Sequence, residues 1–158
     1  MILLEESLEV SGDAEVVLGY VADFAHLPAW DPSVVRVQRL DDAKEVAVGS
    51  RFLVSLKSLG RTVNVDYRVV ELTDRVATLV GSSSGVNAVD EIRVEQRGSR
   101  VRVSYRAEIS LLGILRPMEG LLRSRIVAGG KAAITNLRER LEHLDVARRA
   151  EDSVPAVA

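Results

Sequence analysis

The sequence contains no cysteine, which excludes disulfides, thiolate nucleophiles, zinc ribbons and iron–sulfur ligation. Histidine is almost as scarce. His26 and His143 are the two present, too few and too far apart for a His-based metal site without carboxylate help, and neither a metal nor a cofactor is expected. Charge of one sign is not in excess either: 21 basic against 23 acidic residues leave a net charge of −2. No broad basic field is available to attract nucleic acid or an anionic membrane. No run of about 18 apolar residues marks a membrane span, and Met1-Ile2-Leu3-Leu4-Glu5-Glu6 has acids where a signal peptide needs a basic leader. The expectation is a cytoplasmic protein without an integral membrane segment, monomeric or homodimeric. Aromatic side chains form only 4% of the chain.

What is present is an ordinary globular composition, 47% hydrophobic and 28% charged in 158 residues. That length fits one domain of about 100–200 residues, which we place at 1–145. Residues 146–158 lack a period and read as a disordered tail.

The hydrophobic period changes along the chain in a definite order. Leu4, Glu6, Leu8 and Val10 share one face of an opening strand. Ser11 or Asp13 can then cap a helix running to about Phe24, with Val17, Tyr20 or Val21, and Phe24 on its buried stripe. Pro28 and Pro32 bracket a compact corner around Trp30 and Asp31, with at most a short helix starting near Pro28. From Ser33 to about Leu112 the period is two, and six strands are expected. Their inward sets include Val35 and Val37; Phe52, Val54 and Leu56; Val65, Tyr67 and Val69; Asp90, Ile92 and Val94; and Val103, Tyr105 and Ala107. After Gly113 the period returns to about 3.6 over roughly thirty residues, with Pro117 in the first turn. Met118, Leu122 and Ile126 lie on its apolar stripe.

Strands joined by short turns make an antiparallel meander, here seven-stranded with one apolar face, so the fold class is α+β with the long carboxy-terminal helix laid across the whole sheet. A curved sheet around one helix tends to leave a cavity. Gly129-Gly130 in mid-helix, unfavourable by about 0.8–1.0 kcal/mol each relative to Ala, implies close approach of another element or room for a guest.

Three segments carry a family resemblance: Val21-Ala22-Asp23-Phe24-Ala25-His26-Leu27-Pro28-Ala29-Trp30-Asp31-Pro32, Val48-Gly49-Ser50-Arg51-Phe52 and Tyr67-Arg68-Val69-Val70-Glu71. They resemble the polyketide cyclase/dehydrase branch of the START-like superfamily (SRPBCC), which also includes the birch-pollen-allergen-like (Bet v 1-like) proteins. The run Asp23, Pro28, Trp30 is the most characteristic piece. The resemblance implies a helix-grip fold, a seven-stranded sheet gripping a long helix around a hydrophobic cavity, in a bacterial, START-like, lipid- or polyketide-binding protein.

On that arrangement the expected ligand-binding set is Trp30, Phe52, Val54, Leu56, Val65, Tyr67, Val69, Asp90, Ile92, Val103, Tyr105, Met118, Leu122, Arg125 and Ile126. Each apolar member is equally a core residue. Asp90 either sits at a solvated strand end or projects a carboxylate inward, where desolvation would fit it for acid–base work. Tyr67 and Tyr105 are structural hydrogen-bond donors or ligand contacts. Trp30 packs the corner or gates the cavity, His26 is a loop residue or a general base, and Arg125 is solvated, anchors a ligand carboxylate or pairs with Asp90. Catalytic candidates are therefore Asp90, Tyr67, Tyr105 and His26, although no Gly-x-Ser-x-Gly elbow, phosphate loop or His-Glu-x-x-His is present. The leading expectation is a binder of a hydrophobic small molecule such as a polyketide, quinone, lipid or steroid-like compound. The alternatives are a polyketide cyclase, aromatase or dehydratase using the same cavity, and a protein-interaction or toxin-like effector module.

Overall fold

The structure is a computed structural model that describes residues 1–153. Its frame is one seven-stranded antiparallel sheet built from β1 (Ile2–Ser11), β2 (Val34–Arg39), β3 (Arg51–Ser58), β4 (Arg61–Leu72), β5 (Val76–Ser82), β6 (Val86–Arg97) and β7 (Arg100–Leu111). The order β1-β7-β6-β5-β4-β3-β2 makes β2 to β7 an uninterrupted meander and returns β1 to pair with β7. The period-two pattern sets the faces as expected, with Val54, Val65, Val69, Ile92, Val101 and Val103 buried on the inner side. Two bulges modify it. A register shift between Val34 and Arg36 turns Val34 inward and leaves Val35 exposed, reversing the expected placement of Val35. A second shift between Val69 and Glu71 leaves Val70 outside. Each inserts one residue and so breaks the strict alternation on which face assignment depends.

The expected first helix is divided. α1 (Ala14–Ala22) is capped by Asp13, whose carboxylate accepts from the Glu15 and Val16 amides. Asp23 then ends it and caps a 3-10 helix, Phe24–Ala29. That short helix begins four residues before Pro28, so the proline sits inside it rather than opening it. A second 3-10 helix, Gly113–Met118, contains Pro117 and leads into α2 (Glu119–Asp152). α2 continues through the stretch expected as tail up to Asp152, where Ala and Arg are good helix formers and Arg149 pairs with Asp145 one turn back at 3.0 Å. The last five positions of the expected tail, 154–158, lie outside the described residues.

α2 does not spread across the whole sheet. It packs along β1, the sheet edge, while α1 packs on β5, β6 and β7 and the first 3-10 helix packs on β2 and β3. The inner face is thus covered jointly. α1 supplies Val17, Leu18 and Val21, the corner supplies Phe24, Leu27 and Trp30, and α2 supplies Ala133, Ile134, Leu137 and Leu141. Gly130 explains how α2 comes so close to the sheet edge: a Cβ there would overlap the Leu4 side chain of β1. Of the two expected reasons for the glycine pair, strand approach applies at Gly130, whereas Gly129 faces open space.

Candidate functional site

The inner face is apolar except at its centre. Three rows of cross-strand neighbours meet there. One runs Tyr67, Gly81, Ala88, Ile109, Ile2; the next Val69, Leu79, Asp90, Ala107, Leu4; the third Ala77, Ile92, Tyr105, Glu6. Small residues at Gly81, Ala88 and Ala107 give room for larger polar ones beside them. Tyr67 uses this room, because a Cβ on Gly81 would lie 2.7 Å from the Tyr67 ring. The phenol therefore reclines over β5 toward β6, and no side chain other than hydrogen would allow it at that register position. Asp90 sits one row on, 7% exposed.

Asp90 is therefore the inward carboxylate, not the solvated strand-end residue. Tyr105, its diagonal neighbour across β6 and β7, donates its hydroxyl to Asp90 Oδ2 at 2.8 Å. Burial pushes the Asp90 pKa up to about 7; the Tyr105 hydrogen bond works against that rise and the Asp31 carboxylate adds to it. No basic group enters this balance. Arg125 in particular is exposed on α2, which agrees with the solvated role expected first for it, and the alternative pairing with Asp90 does not form; the length of α2 carries that turn of helix outside the packed region. Burial, then the Asp90 and Asp31 charges, holds both Tyr67 and Tyr105 well above the usual phenol range. Asp31 is itself raised by burial, partly offset by hydrogen bonds from the Ser33 hydroxyl (2.7 Å) and amide (2.9 Å). Four oxygen-bearing groups, Asp31, Tyr67, Asp90 and Tyr105, thus sense one another electrostatically, and each is biased toward its neutral form.

Aromatic edges wall the group. Trp30 meets Tyr105 edge-on with ring centres 6.2 Å apart, and Phe24 meets Tyr67 at 5.0 Å. Trp30 is buried, its carbonyl accepts from Asn136 of α2 at 3.2 Å, and its indole N–H has no hydrogen-bond partner among the described residues. The corner therefore ties α2 to the centre of the sheet. An open cleft of about 340 Å³ runs between β1 and α2, lined by Glu6, Ser7, Lys131, Ile134, Thr135 and Arg138. Glu6 pairs in register with Tyr105, which links this cleft to the strand pair bearing Asp90.

The other expected site residues fall into three groups. Phe52, Val54, Val65, Val69, Ile92 and Val103 are sealed within the core, pressed against protein on all sides, while Leu56 is half-buried at its margin. Met118 and Ile126 are half-buried, and Leu122 is buried apart from the main core cluster. His26 is away from the centre: its ring stacks on Tyr20 at 4.1 Å and Nδ1 lies 3.0 Å from the Tyr20 carbonyl, where a protonated Nδ1 donates. Sequence reasoning passed over Asp31, Glu6 and Gly81. Glu6 was legible as an acid in register with Leu4 and Leu8. Asp31 was not, because its nearness to Asp90 depends on the corner folding over the sheet. No group of three or more potential metal ligands occurs among the described residues.

This arrangement, an antiparallel sheet curled beneath a long carboxy-terminal helix with its polar groups at the inner centre, is the START-like helix-grip fold. The family model described as "Polyketide cyclase / dehydrase and lipid transport" matches residues 1–142, and the chain belongs to that family. Among solved structures it is similar to TTHA0849 from Thermus thermophilus, with a TM-score of 0.71 at 14% identity, covering 88% of this chain and 96% of that one. A START superfamily protein from Mycobacterium smegmatis gives 0.70 at 14% identity, covering 91% and 99%. The Zhui aromatase/cyclase from Streptomyces sp. R1128 gives 0.69 at 14% identity, covering 89% and 93%. Identities this low establish the fold and leave the chemistry to the residues in place. No curated protein matches the chain. No helix among the described residues is long and apolar enough to cross a membrane.

Proposed function

We propose that the chain binds a hydrophobic small molecule bearing a polar oxygen function against the inner face of the sheet, its polar end at Asp90 and Tyr105. The observation that carries this reading is a buried carboxyl, held by the Tyr105 phenol and with the Tyr67 phenol in the next row, on a face otherwise apolar around it whose adjoining positions are Gly81, Ala88 and Ala107. A few directed polar groups in an apolar setting are what orient such ligands. The family's description, which spans cyclases, dehydrases and lipid transport, supports the same class. Thermal-shift and native mass-spectrometry measurements with a hydroxynaphthoquinone, a short-chain ubiquinone, a sterol and a fatty acid test it. At least one stabilising, stoichiometric ligand is expected, and Ala88→Leu, which adds bulk two residues from Asp90 on the same strand face, abolishes its binding. No ligand in the panel, or binding indifferent to Ala88→Leu, overturns the reading.

A second reading is favoured by the near-neutral pKa of Asp90. Such a carboxyl exchanges protons readily at physiological pH, and an enforced ligand conformation supplies much of the remainder for cyclisation or dehydration of a poly-β-keto chain. Under this reading Asp90→Asn keeps binding and loses turnover of a poly-β-keto thioester mimic.

A further inference from the structure

Leu4, Glu6, Leu8 and Val10 share the inner side of β1, and of these Glu6 alone is charged and incompletely buried. The strand and α2 run side by side in the same direction and touch at two points. Gly130 rests on Leu4, and Asp145 lies against Gly12, where a Cβ would stand 3.4 Å from its Oδ1. Leu4 to Gly12 spans about 26 Å of strand and Gly130 to Asp145 about 22 Å of helix, so the two contacts close the ends of one shared length. Between them lies the open cleft of about 340 Å³, a volume at the small end of ligand sites.

The walls of this cleft carry opposite charge. β1 presents Glu6. α2 presents Lys131 and Arg138 on either side of Thr135, at spacings of four and three residues that put them on one helix face, beside the buried Ile134. None of the three charged groups belongs to an ion pair among the described residues. The two cations stand about 10 Å apart along the helix axis, a span that long side chains can close around one oxyanion. A simple anion in the cleft faces Glu6, and a simple cation faces Lys131 and Arg138, so each meets like charge and is disfavoured. A molecule negative toward α2 and positive toward β1 meets none. We infer that the β1–α2 cleft binds a small zwitterion, its oxyanion between Lys131 and Arg138 and its ammonium group on Glu6. An aminoalkyl phosphate has this chemistry, whether free or as the headgroup of a phospholipid. The cleft lies outside the apolar inner face, so this site does not rest on the binding function proposed above.

Amide NMR titration of the full chain in low-salt buffer tests the site, with phosphoethanolamine as the zwitterion and inorganic phosphate and ethanolamine as its separate halves. Saturable movement of the Glu6, Ser7, Ile134 and Thr135 amides is expected, with phosphoethanolamine bound at least about ten-fold more tightly than either half, the margin that one added hydrogen bond to a charged group gives. Glu6→Gln weakens phosphoethanolamine about ten-fold and leaves phosphate undiminished, whereas Lys131→Gln and Arg138→Gln each weaken both. All three side chains are at least partly exposed, so the substitutions retain the fold, and unmoved amides elsewhere in the spectrum verify it. Dihexanoyl phosphatidylethanolamine below its micellar concentration separates the two sources of this chemistry, both of which uphold the site: saturable binding at the same amides admits a lipid headgroup, and exclusion restricts the cleft to the free zwitterion. Phosphate bound as tightly as phosphoethanolamine, indifference to Glu6→Gln, or shifts that do not saturate or that fall outside the cleft overturn the proposal.

Discussion

Replacing Asp90 by Asn tests the central electrostatic claim. The carboxyl has an ordinary value of 3.8 and a native one of about 7, so between those pH values the folded chain holds a proton that the unfolded chain has released. The stabilisation associated with the neutral carboxyl is complete below pH 3.8 and is lost as pH rises to about 7. Each pH unit is worth about 1.4 kcal/mol, and the window therefore spans roughly 4 kcal/mol. Against a domain stability of about 5–15 kcal/mol that is a large fraction. Asn is neutral at every pH, nearly isosteric, and still accepts the Tyr105 hydroxyl through its amide oxygen. Urea unfolding of both proteins from pH 4 to 8 isolates Asp90, because the other carboxylates, Asp31 included, are common to both. The wild type is expected to lose stability relative to Asp90→Asn as pH rises, by a few kcal/mol in total, with the variant the more stable of the two above pH 7. Parallel stability curves, or a wild type that gains on the variant toward alkaline pH, refute a desolvated Asp90.

Four further substitutions have expected outcomes. Tyr105→Phe removes the hydrogen bond that restrains the Asp90 pKa, so the Asp90 carboxyl titrates at still higher pH by carbon-13 NMR, with about 1–3 kcal/mol lost in stability. Gly81→Ala puts a methyl against the Tyr67 ring and Gly130→Ala puts one against Leu4; each destabilises by about 1–3 kcal/mol on chemical unfolding, the second partly offset by better helix propensity. Asp13→Ala leaves the Glu15 and Val16 amides without their cap and lowers stability by about 1 kcal/mol, visible in the unfolding midpoint.

The period-two and period-3.6 patterns made the strand order, the inner faces and α2 legible, because alternation and helical repeat record which side of each element meets the core. Legibility failed where a local event broke the period, as at Val34 and Val35, or where a helix was stable for reasons other than an apolar stripe, as beyond Val146. At the site, Asp90 was conspicuous as a carboxylate in an apolar register. Its fate remained open because strand alternation says which face a side chain takes and nothing about what covers that face.

The chain's own order of apolar and polar residues thus determined a meander with one apolar face and a long helix to follow it. Tertiary structure decided the rest. It set α2 on β1 by way of Gly130, brought the Trp30–Asp31 corner over the sheet centre, and laid Tyr67 across Gly81 beside the Asp90–Tyr105 pair. These are contacts between residues distant in sequence. Their chemistry depends on burial, and burial belongs to the assembled layers, not to any one segment.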